Sequence, residues 1–517
     1  MSQTAPVENF NQNVLTGILI MNFKLNKLVL ASLTGSFLLG FGANAMADST
    51  FDLVQALVTK GVLTEEEALP LLKGRENDIQ LADKKVKKAA KLSVSDALDN
   101  ATLYGDIRIR YEDRSGTGST AAADIDETRA RARYKVTLGV KSEAGDWYTD
   151  LALAMGANGR SDNATFGKAA QANIDDKETL FVKRAMIGWK ANDWLTLEAG
   201  RMNNPLYTTP MVWDADLNFE GLAEKVNYKL NFADLFFTAA QAQYQGDRKN
   251  FSGTGSPADS ITTELFTFQG GAKYAFDDHT NAKAALTYTT YSHNTAGGNA
   301  NKFTPGTATQ GAGNLASVTP LNITTNTVKA AAPGYQVAAF GVNDLDTIEI
   351  PAEFNYYMSA NSIGVRLFGD YVHNTSGGDR AAAACVSSGN NATVCNAGND
   401  DNAWMLGVAI GSGADFKSFE ANKIVKGDWS ARIWYQDVGV YSVDPNAVDS
   451  DFMDSRVNMK GTTFKAQYNF TDNVYTNLAY GHATRKNKAL GTAGAAQDLA
   501  LNLKDFDLLQ LDLTYKF

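Results

Sequence analysis

From Ala101 to Phe517 apolar side chains recur at every second position in one segment after another, and the connections between the segments alternate short and long. A period of two belongs to strands, so each segment has one apolar and one polar face. Sixteen segments fit this pattern: 101–113, 127–142, 146–156, 177–190, 194–201, 221–230, 233–245, 262–277, 280–292, 345–359, 361–374, 402–416, 426–439, 457–471, 472–485 and 502–517. Short turns fall at 142–146, 191–193, 231–232, 277–279, 359–360 and 471–472, with a longer one at 417–425. Between them lie 114–126, 157–176, 202–220, 246–261, 293–344, 375–401, 440–456 and 486–501, all rich in Gly, Asn, Ser and Ala. Hairpins tight at one end and long at the other, on strands with one apolar face, predict an all-β chain. The expected architecture is a sixteen-stranded antiparallel transmembrane β-barrel with short periplasmic turns and long extracellular loops. A propeller would repeat blades of about forty residues, and no such repeat is present.

The final segment states the rule most clearly. Leu509, Leu511, Leu513, Tyr515 and Phe517 share one face, and Gln510, Asp512, Thr514 and Lys516 share the other. Trp189, Trp194, Tyr274, Phe276, Tyr356, Tyr357, Trp429, Phe470, Tyr475 and Phe517 gather near the short turns, where a barrel carries a girdle of aromatic rings at the headgroups. No run of eighteen apolar residues follows Ala47, so any membrane crossing there is made by strands.

The N-terminal part reads differently. Lys24 and Lys27 precede an apolar run from Leu28 to Phe41, and Ala45-Met46-Ala47 offers a small-x-small cleavage site. Residues 1–47 are expected to be an upstream extension and a signal peptide cleaved after Ala47, with Met21 as the start. Residues 48–100 have helical spacing in Phe51, Val54, Leu57 and Val58, then Thr64 followed by three glutamates, as at a helix N-terminus. The lysines at 84, 85, 87, 88 and 91 fit a solvated helix face, a short coiled-coil seam or a cell-wall contact. This periplasmic helical extension would precede a barrel over 101–517.

Removal of residues 1–47 takes away two lysines and one glutamate and leaves a net charge of −11, which argues against a nucleic-acid partner. Cys385 and Cys395, the only cysteines, lie within one loop with nine residues between them, the spacing of a local disulfide in an exported protein. The four histidines are scattered without metal-ligand spacing, so no metal or other cofactor is expected.

The charges of the first two strands are the candidate functional residues. Arg129, Arg131, Arg133 and Lys135 alternate with Ala130, Ala132, Tyr134 and Val136, and Arg108 and Arg110 alternate with Ile107, Ile109 and Tyr111. A cation facing lipid near the bilayer midplane costs about 2–4 kcal/mol, so the basic residues are expected to face the lumen. A symmetric first loop would set Arg110 beside Arg131 and Arg108 beside Arg133. Like charges side by side need anions or carboxylates, and the third loop offers Asp214, Asp216 and Glu220. The expected constriction is a basic wall, joined by Arg184 and Arg201, facing those acids. Alternatively, the arginines pair with Asp106, Glu112 and Asp512 of neighbouring strands and select nothing.

Two stretches resemble known sequences. Phe181 to Trp189 followed by Leu195-Thr196-Leu197-Glu198-Ala199-Gly200-Arg201 resembles the R-A-x-(V/I)-G and L-T-L-x-x-G-R hairpin that precedes the third loop of many bacterial porins. Asn204-Pro205, then Val212-Trp213-Asp214 to Gly221, with the helical extension, is similar to the group called putative porins. The terminal Phe517 resembles the signal read by the barrel-assembly machinery of the bacterial outer membrane. The resemblance implies an outer-membrane porin, commonly a homotrimer, passing small hydrophilic solutes or ions passively through a water-filled pore. It implies that the third loop, 202–220, folds inward, although the longer loop 293–344 could cap the pore instead. It implies no enzymatic activity. A substrate-specific channel or receptor is the alternative, and a barrel-borne hydrolase using His293 or His373 has weak support.

Overall fold

The computed structural model describes residues 100–119, 124–156, 161–167, 178–249, 260–292, 345–358, 363–387, 392–412, 425–488, 490–492, 498–499 and 503–517. The chain divides into two units, residues 1–91 and 92–517, and all the described residues belong to the second. The signal peptide with its Ala47 site, the helical extension before Asn100 and the loop 293–344 lie outside the described residues.

Sixteen strands form one closed antiparallel barrel. They are β1 (Asn100–Ser119), β2 (Asp124–Ala144), β3 (Trp147–Gly156, resumed at Ala164–Thr165), β4 (Thr179–Lys190), β5 (Leu195–Asn203), β6 (Asn218–Lys229), β7 (Ala233–Lys249) and β8 (Ser260–Ala275). They continue as β9 (Thr280–Tyr291), β10 (Thr347–Glu349 and Ala352–Met358), β11 (Ile363–Asn374), β12 (Asn402–Ser412), β13 (Trp429–Val438), β14 (Met459–Asn469), β15 (Val474–Arg485) and β16 (Asp505–Lys516). β10 is interrupted at Pro351, which has no N–H to give the ladder. β16 pairs with both β15 and β1, so the sheet has no open edge. Two short helices, α1 (Gly377–Ser387) and α2 (Ala392–Cys395), occupy the connection after β11 and are joined by the Cys385–Cys395 disulfide.

The first hairpin is taller than the sequence suggests, because β1 runs on to Ser119 and β2 begins at Asp124. Its register places Arg110 opposite Arg133, Arg108 opposite Lys135, Glu112 opposite Arg131 and Arg114 opposite Arg129. The expected pairing of Arg110 with Arg131 is therefore off by two residues. A slip of two leaves every side chain on the same face, so alternation alone cannot detect it.

The outer surface is apolar: Ile107, Leu151, Ile187, Leu286, Leu406 and Leu511 are all exposed. Such a band around a closed barrel suits an apolar solvent. Aromatic pairs flank the short turns, with Trp147 stacked on Trp189 at 5.6 Å and Tyr274 edge-on to Phe276 at 4.8 Å between ring centroids. Phe517 exchanges backbone hydrogen bonds with Gly105 at 2.9 and 3.0 Å. A Cβ on residue 105 would stand 2.7 Å from the Phe517 ring, so glycine leaves the space that the terminal ring occupies.

The lumen is not uniform. Inward residues of β5–β9 and β11–β16, such as Met202, Leu265, Phe368, Trp434 and Phe506, form an apolar cluster with loop residues including Met211, Trp213, Tyr441, Phe452 and Leu490. Among the described residues, β1–β3 contribute nothing to that cluster. Their inner faces carry the charges.

Candidate constriction site

The loop 204–217 leaves β5 and crosses the lumen. The Tyr207 N–H donates to Gln269 Oε1 on β8 at 2.8 Å, Thr208 Oγ1 to Glu349 Oε1 on β10 at 2.5 Å, and Thr209 Oγ1 to Asp370 Oδ2 on β11 at 2.6 Å. A second loop, 439–458, comes in from β13 and meets it. The Asp449 N–H donates to the Pro210 carbonyl at 3.0 Å, the Asp214 N–H to the Ala447 carbonyl at 2.6 Å, and the Ser450 N–H to Asp214 Oδ2 at 3.0 Å. The two loops thus hold each other inside the barrel.

The second loop then reaches the basic wall of β1 and β2. Arg110 donates Nε and Nη2 to Asp512 at 2.7 and 2.9 Å and Nη1 to Asp451 at 3.1 and 3.2 Å. Arg114 reaches Asp454 at 2.9 Å, Glu112 at 3.0 Å and Asp451 at 3.3 Å. Arg131 bridges Glu112 and Asp498, and Arg129 pairs with Asp498 at 2.5 Å. Arg133 donates to Ser161 Oγ at 2.8 Å and to the Asn163 carbonyl at 3.1 Å; its nearest carboxylate oxygen, on Glu112, is 3.7 Å away. Arg108 donates to Asn163 Oδ1 at 2.5 Å and lies 3.7 Å from Asp512. Lys135 lies 3.8 Å from Asp162.

On β4 a local irregularity enlarges the wall. Arg184 is opposite Ala152 and Val182 opposite Leu153, so Lys183 is the extra residue of a β-bulge. Both Lys183 and Arg184 are buried inside the barrel. Lys183 pairs with Asp162 and lies 3.7 Å from Asp216, while Arg184 donates to Asp150 at 2.9 Å and to the Tyr104 hydroxyl at 2.6 Å.

The loop acids respond to these surroundings. Burial alone would raise the Asp451 pKa, but Arg110 and Arg114 outweigh it and hold the group well below the usual carboxylate range. Asp216 is lowered in the same way, burial being overcome by Lys135, Lys183 and Arg108. Asp498 is lowered by Arg114, Arg131 and Arg129 against burial. Asp162 is raised, first by burial and then by Asp216, and Asp454 is raised by burial despite Arg456 and Arg114. Met453, Asp454, Ser455 and Asn458 all have positive φ, a strain held in place because Asp454 also accepts the Asp498 and Leu499 N–H groups at 2.9 and 3.2 Å.

Arg108, Arg110, Arg131, Arg133, Lys135 and Arg184 come together on one inner wall, with Arg129 at its more exposed end. Arg201 does not join them. It faces outward with Ala185 and Ile187 and pairs with Glu220, which shares the outward face of Leu222. Neither Arg201 nor Glu220 therefore belongs to the constriction. Asp214 ties the two loops, and Asp216 lies 3.7 Å from Lys183 on the wall. The remaining facing acids, Asp162, Asp451, Asp454 and Asp498, lie on other loops, and the sequence reading missed them together with Arg114 and Lys183. Arg114 continues the even-numbered series of Arg108 and Arg110, a signal hidden by ending the strand at 113.

Besides Arg129 and Asp498, at 45 and 24 %, the charges that keep accessible surface here include Arg108 and Lys135 on the wall and Asp216 and Asp451 on the loops, at 19, 13, 27 and 22 %. This geometry presents opposite charges across a narrow part of the lumen and holds them with loops rather than with the barrel alone.

No curated protein matches the chain. Among solved structures, a chain described under "Asymmetric conductivity of engineered proteins" aligns at 12% identity and a TM-score of 0.35, over 81% of this chain and 100% of that one. The sequence pattern of the family described as "Putative porin" matches residues 112–517, nearly the whole barrel from within β1 to Phe517. The chain belongs to this porin family.

Proposed function

We propose that the protein is an outer-membrane porin that passes small hydrophilic solutes or ions by passive diffusion through a charged, water-filled pore. The carrying observation is the contrast between faces: apolar residues cover the outside of a closed barrel, while the inner wall of β1, β2 and β4 opposes acids held by inward loops. In this reading residues 1–47 direct export with cleavage after Ala47, the assembly machinery recognises the strand ending in Phe517, and three copies form the working unit. Planar-bilayer recording of the purified protein tests it, with conductance steps arriving in threes as the expected result. Neutralising Arg108 and Lys135 to Gln should move the reversal potential in a salt gradient toward cation preference. Absence of conductance, or an unchanged reversal potential, would overturn the pore or the role of the wall respectively.

A substrate-specific channel is the second reading, favoured by the packing of two loops rather than one within the lumen. Liposome swelling separates the two. A general pore ranks uncharged sugars by size, whereas a specific channel admits one of several solutes of equal size.

A further inference from the structure

Below the loop 204–217, toward the short turns, the lumen opens into a cavity of about 940 Å³ whose lining includes Tyr207, Phe236, Lys273, Lys283, Glu353 and Arg366. The register sets five inward charges in one row across adjacent strands: Lys229 opposite Asp234, Asp234 opposite Lys273, Lys273 opposite Lys283, and Lys283 opposite Glu353. Three of the four neighbouring pairs in that row are opposite in sign, but Lys273 and Lys283 stand directly against each other. Their Cβ atoms are about 5 Å apart, where like charges repel. Neither ammonium has a carboxylate oxygen within 4.0 Å among the described residues. The Lys283 ammonium lies instead over the Tyr207 ring at 3.8 Å and the Phe236 ring at 5.0 Å. Glu353, the nearest acid in the row, is engaged elsewhere: the Tyr207 hydroxyl donates to it at 3.2 Å, Asn355 Nδ2 donates to it at 3.3 Å, and Arg366 is 3.9 Å away.

We propose that Lys273 and Lys283 form a binding site for a small oxyanion, a carboxylate or a phosphate, on the short-turn side of the constriction. An anion with two acceptor oxygens spans adjacent ammonium groups and relieves their repulsion. Arg366 on the cavity wall adds positive charge that draws it in. Tyr207 belongs to the constriction loop and fixes the Lys283 side chain by its ring, so the site is shaped by the loop that narrows the pore. The proposal rests on the reading of the lumen as water-filled, but not on conduction.

Phosphorus NMR of inorganic phosphate with the detergent-folded protein tests it, because weak exchange with a site broadens the resonance. Wild-type protein should broaden the line, and succinate should sharpen it again by competition. Lys273→Gln and Lys283→Gln should each weaken binding about tenfold, the loss of one charge-assisted contact, while Lys229→Gln, beside Asp234, should leave it within about twofold. The double Lys→Arg variant keeps both charges and should still bind, which guards against loss of fold in the Gln variants. No broadening by wild type, or equal broadening by wild type and the two Gln variants, would overturn the site. Bilayer conductance measured on the same preparation judges the pore separately: a conducting protein that binds no phosphate sinks only the site, and a non-conducting one that binds it sinks only the pore.

Discussion

Asp451→Asn tests the hold of the loop 439–458 on the basic wall. Asp451 accepts from Arg110 at 3.1 and 3.2 Å, from Arg114 at 3.3 Å and from Gln510 Nε2 at 2.9 Å. Asparagine preserves the shape and one acceptor but removes the charge. Neither arginine is left alone, because Arg110 keeps two contacts to Asp512 and Arg114 keeps Asp454 and Glu112. The cost therefore falls below the ~3–5 kcal/mol of stranding an isolated buried charge. It is nearer that of one charge-assisted hydrogen bond, trimmed because the Asp451 side chain keeps 22 % of its surface, and comes to about 1.5–2 kcal/mol. That shifts the ratio of docked to released loop by about ten- to thirtyfold. Single-channel recording at neutral pH should show longer or more frequent excursions from the main conductance level. The reversal potential should move toward anion preference, since one negative charge leaves the lumen. Asp146→Asn, in the exposed turn between β2 and β3, should do neither. A changed reversal potential with unaltered dwell times would refute the claim that Asp451 holds the loop.

Replacing Thr208 and Thr209 together by Val keeps their shape but removes the donors to buried Glu349 and Asp370; at about 1–3 kcal/mol for each unsatisfied group, the loop 204–217 should release and unitary conductance should rise. Gly105→Ala would place a methyl group 2.4 Å from the Thr137 carbonyl and 2.7 Å from the Phe517 ring, costing about 1–3 kcal/mol, and the folded band in heat-modifiability gels should weaken. The lowered pKa values of Asp451, Asp216 and Asp498 give stability that is complete above the unfolded carboxylate pKa and is lost as pH falls through the folded values. Asp162 and Asp454 are raised, so their contribution is present in acid and is lost as pH rises through the folded values. Excursions should therefore stay flat or decline from neutral pH to about pH 5 and increase below about pH 4, and an onset near neutrality in dwell-time records would contradict this assignment. Trp434→Ala, at a side chain buried beside Phe368 and Phe452, should cost about 3–5 kcal/mol and lower the thermal midpoint, whereas trimming a merely water-facing lumen residue would widen the pore without loss of stability.

The strands were legible because an apolar surrounding imposes a rule: outward residues of a spanning strand are mainly apolar, most strictly near the midplane, and the period of two then sorts inside from outside. The rule is silent on what meets inside. It assigned Arg108, Arg110, Arg131 and Arg133 to the lumen, but it left the relative height of β1 and β2 undetermined, and the Gly-, Ser- and Thr-rich tip between them carries no face preference to fix it. It also failed where the period breaks. Adjacent Lys183 and Arg184 cannot both face inward on a regular strand, and the bulge that turns both inward is visible in sequence only as that conflict. Arg201 shows the opposite error. It was expected on the basic wall beside Arg184, whereas counting from inward Met202 gives it the outward face. The acids of the loop 439–458 were unreadable as partners because an ion pair between residues more than 300 positions apart depends on the path of the loop.

That path follows from the unequal inner surface of the barrel. A lumen lined wholly by polar groups would give a long loop no reason to leave water, since its backbone and charges are as well solvated outside. Here β5–β9 and β11–β16 offer inward apolar side chains, and Met211, Trp213, Tyr441, Phe452 and Met453 of the two loops bury against them. Burying a large apolar side chain contributes about 1.5–3 kcal/mol, enough for several together to offset the ordering of the loops and the strained backbone at Met453 to Ser455. Once docked on that sector, the loops can extend only toward β1, β2 and β4, where their acids meet the cations. The apolar sector thus decides that the loops enter, and the charged sector decides where they stop. In the proposed pore, the passage beside the two loops lies on the charged side, and its width there depends on Trp434 and Phe452 as much as on Arg108 and Asp216.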